Sequence, residues 1–211
     1  MCENSKQNYG LTFILLLSSY DPETKNLLDI IKQKIAEKWC GEKVYGIVLD
    51  EIELYLTEDY FILVEKWSRE SISIYIFYHS GEHKESYELS ISEKTIIDKE
   101  IENLLREKYG IVNVNKATIL DKLKWLTYIS KSILVIRDKE ETRGGEIAEL
   151  IYCIMNRHSN KICLFKREGF ELSSMLMEFL DMYKVNIRSY RDRNSLIEGI
   201  LRYLSYRITE K

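Results

Sequence analysis

The side chains best suited to chemistry lie between positions 131 and 153, in the run KSILVIRDKEETRGGEIAELIYC. Asp138 follows an apolar stretch at 132–136. Glu146 and Glu149 follow a double glycine, Gly144-Gly145, which Arg143 precedes. A loop carboxylate and a second one on the first turns of a helix could share the work of sugar transfer. One would attack, or stabilise electrostatically, an oxocarbenium-like sugar carbon. The other would protonate a leaving base or hold a sugar hydroxyl. Glu149 suits the first role, because Leu150, Ile151, Cys153, Ile154 and Met155 after it are apolar. A helix with that composition packs on a sheet, which puts Glu149 at the edge of a core. Asp138 suits the second role. Gly144 and Gly145 let backbone approach a ligand closely. The first N–H groups of the helix, around Gly145 and Glu146, can hold a hydroxyl or a phosphate. The acids also have a plainer use, offsetting the helix dipole and pairing with Lys or Arg. Spacing alone leaves both uses open.

Such a set needs a strand at 132–136, a polar loop at 137–144 and a helix over about 145–156, in that order. Open α/β sheets hold their ligands at passages of this kind. The rest of the chain supplies a sheet. The run 11–17 (LTFILLL) is apolar without alternation, as a central strand covered on both faces would be. Ser18, Ser19 and Tyr20 follow at its C-terminal end. Asp21 is placed to cap a helix over 22–39, with Pro22 at the first helical position. The two serines lie beside that helix N-terminus, where they could face an anion or a sugar hydroxyl, or simply turn the chain. After the double-glycine helix come a strand at 161–166, a helix at 172–183, an edge strand at 185–190 and a last helix at 192–206. Met175 and Met182 read as core filler. Arg188, Arg191, Arg193, Arg202 and Arg207 cluster near the end, facing either a phosphate or the acids Asp181, Asp192 and Glu198.

The middle differs. Short apolar runs at 44–49, 52–56, 60–64, 72–78 and 87–91 are separated by polar turns, and 71–78 (SISIYIFY) alternates. That predicts hairpins. Helices are expected at 92–109 and 118–129. The fold class is therefore α/β: an open, mostly parallel three-layer sheet with helices on both faces. A single domain spans 1–211, with a β-rich antiparallel insertion or extension at 43–91. The aromatic side chains of that insertion could close over a ligand or form a homodimer interface.

Several function classes fall away. Over 211 residues the net charge is −3, which argues against nucleic-acid binding driven by counterion release. Neither GxGxxG, GxxxxGK[ST] nor GxSxG occurs, so the Rossmann, P-loop and nucleophile-elbow readings lack their residues. The four cysteines form no CxxC pair and the three histidines are scattered. No metal and no cofactor are expected. Cys153 and Cys163 lie on apolar runs and read as buried thiols. No apolar run is long enough to cross a bilayer. With the cysteine pattern this points to the cytoplasm.

The stretch 121–170 resembles the nucleoside 2-deoxyribosyltransferase-like family, within the wider flavodoxin-like and TIR-like α/β group. The features are an apolar strand ending in an acid (ILVIRD), a short polar loop, a Gly-x-x-x-Glu helix (GEIAEL) and a lysine-led strand (NKICLF). LLLSSYDPE fits the position where that family receives its ligand, and SLIEGILRYL its last helix. The resemblance skips the β-rich middle. It implies Glu149 as nucleophile and Asp138 as the acid assisting at the leaving base. Ser18, Ser19, Tyr20, Arg143, Gly144, Gly145 and Glu146 would bind substrate. The implied reaction is cleavage or exchange of the N-glycosidic bond of a nucleoside or nucleotide. TIR-like relatives imply an alternative, cleavage of NAD at the nicotinamide ribose with a comparable glutamate. A further alternative keeps the pocket without turnover, as a nucleotide-sensing or homodimeric assembly domain.

Overall fold

The computed structural model describes residues 11–19, 21–66, 71–90, 99, 102–103, 105–107, 115–139 and 145–209. The chain divides into two compact units, Met1–Leu49 with Leu123–Lys211, and Asp50–Lys122.

The first unit is a parallel sheet flanked by helices. Its strands are β1 (Thr12–Ser18), β2 (Val44–Val48), β8 (Ser130–Arg137), β9 (Ile162–Arg167) and β10 (Asn186–Tyr190). They lie in the order β10-β9-β8-β1-β2. The apolar run of β1 is buried on both faces, with Phe13 through Leu17 at most 1% exposed. Each such leucine or isoleucine contributes about 1.5–3 kcal/mol of burial. On one face Ile14, Leu16, Leu134, Ile136, Cys163 and Phe165 form a core. Helix α1 (Pro22–Lys38) packs there through Leu27, Leu28, Ile31 and Ile35, and helix α5 (Arg193–Thr209) through Leu196, Ile200 and Leu204. The expected cap forms, with Asp21 accepting from the Glu23 and Thr24 amides. Gly46 lets α1 come close, since a Cβ there would lie 3.2 Å from Lys32 Cγ. Helix α3 (Gly145–Met155) packs on β1 and β8.

The hairpin expectation for 43–91 needs one correction. Val44–Val48 pairs parallel to β1, with Thr12 opposite Val44 through Leu16 opposite Val48. It completes a β1–α1–β2 unit. Strands buried on both faces do not alternate, so this run carried no signal separating it from the hairpins after it. The remaining hairpins are present in the second unit. There β3 (Ile52–Leu56), β4 (Tyr60–Lys66), β5 (Ser71–Tyr78) and β6 (His83–Ser90) form an antiparallel meander, with the two-residue β7 (Asn115–Lys116) beside β3. Phe61 and Phe77 stack across β4 and β5 at 5.0 Å. This is a separate sheet and not an extension of the parallel one. Of the helix expected at 92–109, residues 99, 102–103 and 105–107 are helical, and the others lie outside the described residues.

Helix α2 (Ile119–Ile129) precedes β8, and helix α4 (Ser174–Met182) precedes β10. The expectation for the α4 methionines is overturned. Met175 is 79% exposed and Met182 73%, whereas Leu180 is buried. The helical period turns both methionines away from the stripe of Leu176, Phe179 and Leu180. Helices α3 and α4 end on non-glycine residues in the left-handed region, Arg157 (φ 65) and Lys184 (φ 53). In both, the next amide reaches back across the last turn, His158 N to Cys153 O at 3.1 Å and Val185 N to Leu180 O at 3.0 Å. These bonds satisfy end carbonyls as a Schellman cap does.

Candidate functional site

In chain order β1 and β2 run to one side of the sheet and β8, β9 and β10 to the other. The order therefore reverses between β1 and β8, and the crevice outside the C-terminal ends of these two strands is where such sheets take ligands. Ser18 ends β1. It lies opposite Ile136, and its fully buried hydroxyl donates to Ile136 O at 2.7 Å. The serine thereby ties the two strand ends together. Ser19 Oγ donates to Asp21 Oδ2 at 2.9 Å.

Asp138, two residues beyond Ile136, is partly buried and accepts from Tyr190 Oη at 2.9 Å. Tyr190 ends β10 and also lies 3.2 Å from Arg137 O. Burial, and then the charge of Asp138, raises the Tyr190 pKa well above the usual phenol range. The phenol therefore remains a neutral donor to the carboxylate. Lys139 turns the other way. Its Nζ lies 2.8 Å from Asp21 Oδ1 and 2.9 Å from Glu23 Oε2, joining the loop after β8 to the first turn of α1. The hydrogen bond from Lys139, then those from Thr24 and Ser19, overcome partial desolvation and hold Asp21 well below the usual carboxylate range. The hydrogen bonds to Asp21 and then Glu23 raise the Lys139 pKa.

Helix α3 brings the other acids over the same strands. Its inward stripe is Glu146, Leu150, Cys153 and Ile154. Glu146, only 1% exposed, is the acid that faces inward, and Glu149 sits on the flank, half-buried. Burial and the charge of Glu149 push the Cys153 thiol up to about 12. Gly145 is exposed, and a Cβ added there would meet no atom within 4 Å. Tyr20, Arg143 and Gly144 lie outside the described residues.

The structure thus gathers Ser18, Ser19 and Asp138 at two adjacent strand ends, with Glu146 and Glu149 on the helix over those strands. Asp21, Lys139 and Tyr190 belong to the same edge and were not singled out as site residues. Lys139 had a signal, adjacency to Asp138. Tyr190 had none, because it arrives from a strand two places away in the sheet. Three of the five C-terminal arginines go to different partners. Arg191 pairs with Glu168 at 3.0 Å, Arg188 lies 5.2 Å from the centre of the Tyr203 ring, and Arg207 donates to Asn160 O.

Among the described residues, no group of three or more His, Cys, Asp or Glu side chains is placed to hold a metal ion. Cys153 and Cys163 are free and buried, as read from sequence, whereas Cys40 is disulfide-bonded, which its spacing did not suggest. Among the described residues no helix is long and apolar enough to cross a membrane. No family model, no curated protein and no solved structure matches this chain.

Proposed function

We propose that the crevice at the ends of β1 and β8 takes a nucleoside or nucleotide and that Glu149 is the nucleophile on its N-glycosidic bond. The protein would then be a transferase or hydrolase of the nucleoside 2-deoxyribosyltransferase-like kind. One observation supports this reading: Asp138 follows the end of β8, where strand order reverses, and the helix that carries Glu149 packs on β1 and β8, the two strands on either side of that point. In the proposed step a Glu149 oxygen bonds to the anomeric carbon as the carbon–nitrogen bond breaks. The leaving base takes the electron pair and a proton. Asp138, oriented by the neutral Tyr190 phenol, holds the base or relays that proton. Water or an acceptor base then displaces Glu149. NAD is an alternative donor in the same step, with nicotinamide leaving.

A second reading has its own support. Ser18 and Asp138 already hydrogen-bond within the protein, as in a pocket that senses a nucleotide without turnover or serves homo-oligomer assembly.

Incubation of the purified chain with nucleosides, deoxynucleosides, their monophosphates and NAD, with and without acceptor bases, separates the two. Free base or nicotinamide is read by chromatography. Release that disappears in Glu149→Gln supports the enzyme. Absence of release from every compound, or release that Glu149→Gln leaves intact, removes Glu149 as nucleophile and favours the second reading.

A further inference from the structure

We propose that a cavity at the opposite end of the parallel strands binds the phosphate of a small phosphorylated molecule, held by Lys131, Lys161 and Arg207. The cavity has a volume of about 550 Å³ and opens at the N-terminal ends of β1 and β8. That size falls within the range of small-molecule sites. From Ser130 to Arg137 the strand rises roughly 23 Å at 3.3 Å per residue, so this is not the carboxylate crevice.

The lining holds three cations and no carboxylate among the described residues. Two of the cations are fixed in place. Lys161 Nζ donates to Thr127 O at 3.2 Å and Tyr128 O at 3.0 Å, at the C-terminal end of α2. An ammonium has a third donor beyond those two bonds. Arg207 reaches in from α5, and one terminal nitrogen donates to Asn160 O at 2.8 Å. Its planar fork suits an oxyanion. The Lys161 pKa is lowered by burial, then by the charges of Arg207 and Lys131. Lys161 is therefore repelled by the other two cations, and an anion between them would relieve that repulsion.

Two features of β8 point the same way. Its pairing with β1 shifts between Phe13 and Ile14, where Ser130 faces the first and Ser132 the second. Lys131 is the extra residue. Bulges are rare between parallel strands and re-aim side chains, and here both Ser130 and Lys131 line the cavity. Ser130 is 1% exposed and its hydroxyl has no hydrogen-bond partner among the described residues. A buried hydroxyl beside a cationic cavity is a donor suited to a phosphate oxygen. The apolar part of the lining, around Tyr128, leaves room for an organic group on that phosphate.

Calorimetric titration of the purified chain with inorganic phosphate, pyrophosphate and glycerol 3-phosphate, none of them a nucleoside or nucleotide, at constant ionic strength in chloride, tests this. At least one probe should saturate at one per chain. Lys131→Ala, at an exposed position, should weaken it about tenfold or more, with circular dichroism confirming the fold. Glu149→Gln should leave it unchanged. Equal affinity for phosphate and glycerol 3-phosphate would assign the site to phosphate alone, and tighter glycerol 3-phosphate binding to an organic phosphate. No saturation by any probe at millimolar concentration, binding unaffected by Lys131→Ala, or binding lost in Glu149→Gln would each overturn the proposal.

Discussion

Asp21 holds two structures together with one carboxylate, and substitutions can separate them. Its Oδ1 accepts from the Glu23 and Thr24 amides, both at 3.2 Å, and from Lys139 Nζ at 2.8 Å. Its Oδ2 accepts from Ser19 Oγ at 2.9 Å and Thr24 Oγ1 at 2.8 Å. The amide bonds cap α1, and the lysine bond joins the turn after β1 to the loop after β8. Asp21→Ala removes both. Loss of an N-cap costs about 1 kcal/mol, and the ion pair adds a smaller, salt-screened amount because both side chains are about a third exposed. One kcal/mol corresponds to a fall in Tm of about 2–4 °C for a chain of this size. Asp21→Asn keeps a capping oxygen and loses only the charge, so its fall is smaller. The sign of the pH dependence follows from the depressed pKa of Asp21. A carboxyl held below its unfolded value adds stability above that value, and the stability is lost as pH falls toward the folded pKa. Thermal melts followed by circular dichroism from pH 7 downward would therefore show native and Asp21→Asn converging below about pH 4. The gap between native and Asp21→Ala would narrow but persist, since a protonated carboxyl still accepts from the amides. Equal Tm values for native and Asp21→Ala at pH 7 would refute the cap. A native-to-Asn gap that stays constant down to pH 3 would refute the charge.

Two further predictions rest on single contacts. Tyr190→Phe removes the donor to Asp138 and should lower stability by about 1 kcal/mol. If Asp138 assists the leaving base, the variant should also move the acid limb of the base-release pH profile, and an unmoved profile would remove Tyr190 from that role. Burial pushes the thiols of both Cys153 and Cys163 up to about 12. Neither should react with a disulfide reagent at pH 8 until the protein is denatured, and rapid labelling of either in the native protein would contradict their burial.

Much of the first unit was legible because its signals are local. The unbroken apolar run before Ser18, the Asp21-Pro22 start of α1 and the apolar stripe after Glu146 each declare themselves within a few residues. The misjudged elements lacked a local signature. Val44–Val48 reads like the hairpin strands that follow it, although its partner is β1. Met175 and Met182 are apolar by type and exposed by position. Helices α3 and α4 end without glycine, on Arg157 and Lys184, residues for which the left-handed conformation costs about 1–2 kcal/mol. Glu149 lies half-buried on the flank of its helix, at the edge of the core as its apolar neighbours suggest, and what composition could not resolve is that Glu146, one turn earlier, is the acid turned toward the sheet.

The sequence by itself determined that this is an α/β protein with a central apolar strand, a capped first helix, two buried thiols, and acids at a strand–loop–helix passage. Patterns within a turn or a strand are enough for that, since propensity, capping and burial period are properties of near neighbours. Only the tertiary structure decided that β8 lies beside β1, that Lys139 reaches Asp21 across 118 residues, and that Tyr190 reaches Asp138 across 52. It alone brought Lys131, Lys161 and Arg207 to one cavity. Those pairings depend on strand order and on one bulged register, which are set by how whole faces pack together and leave no mark on any short stretch of chain.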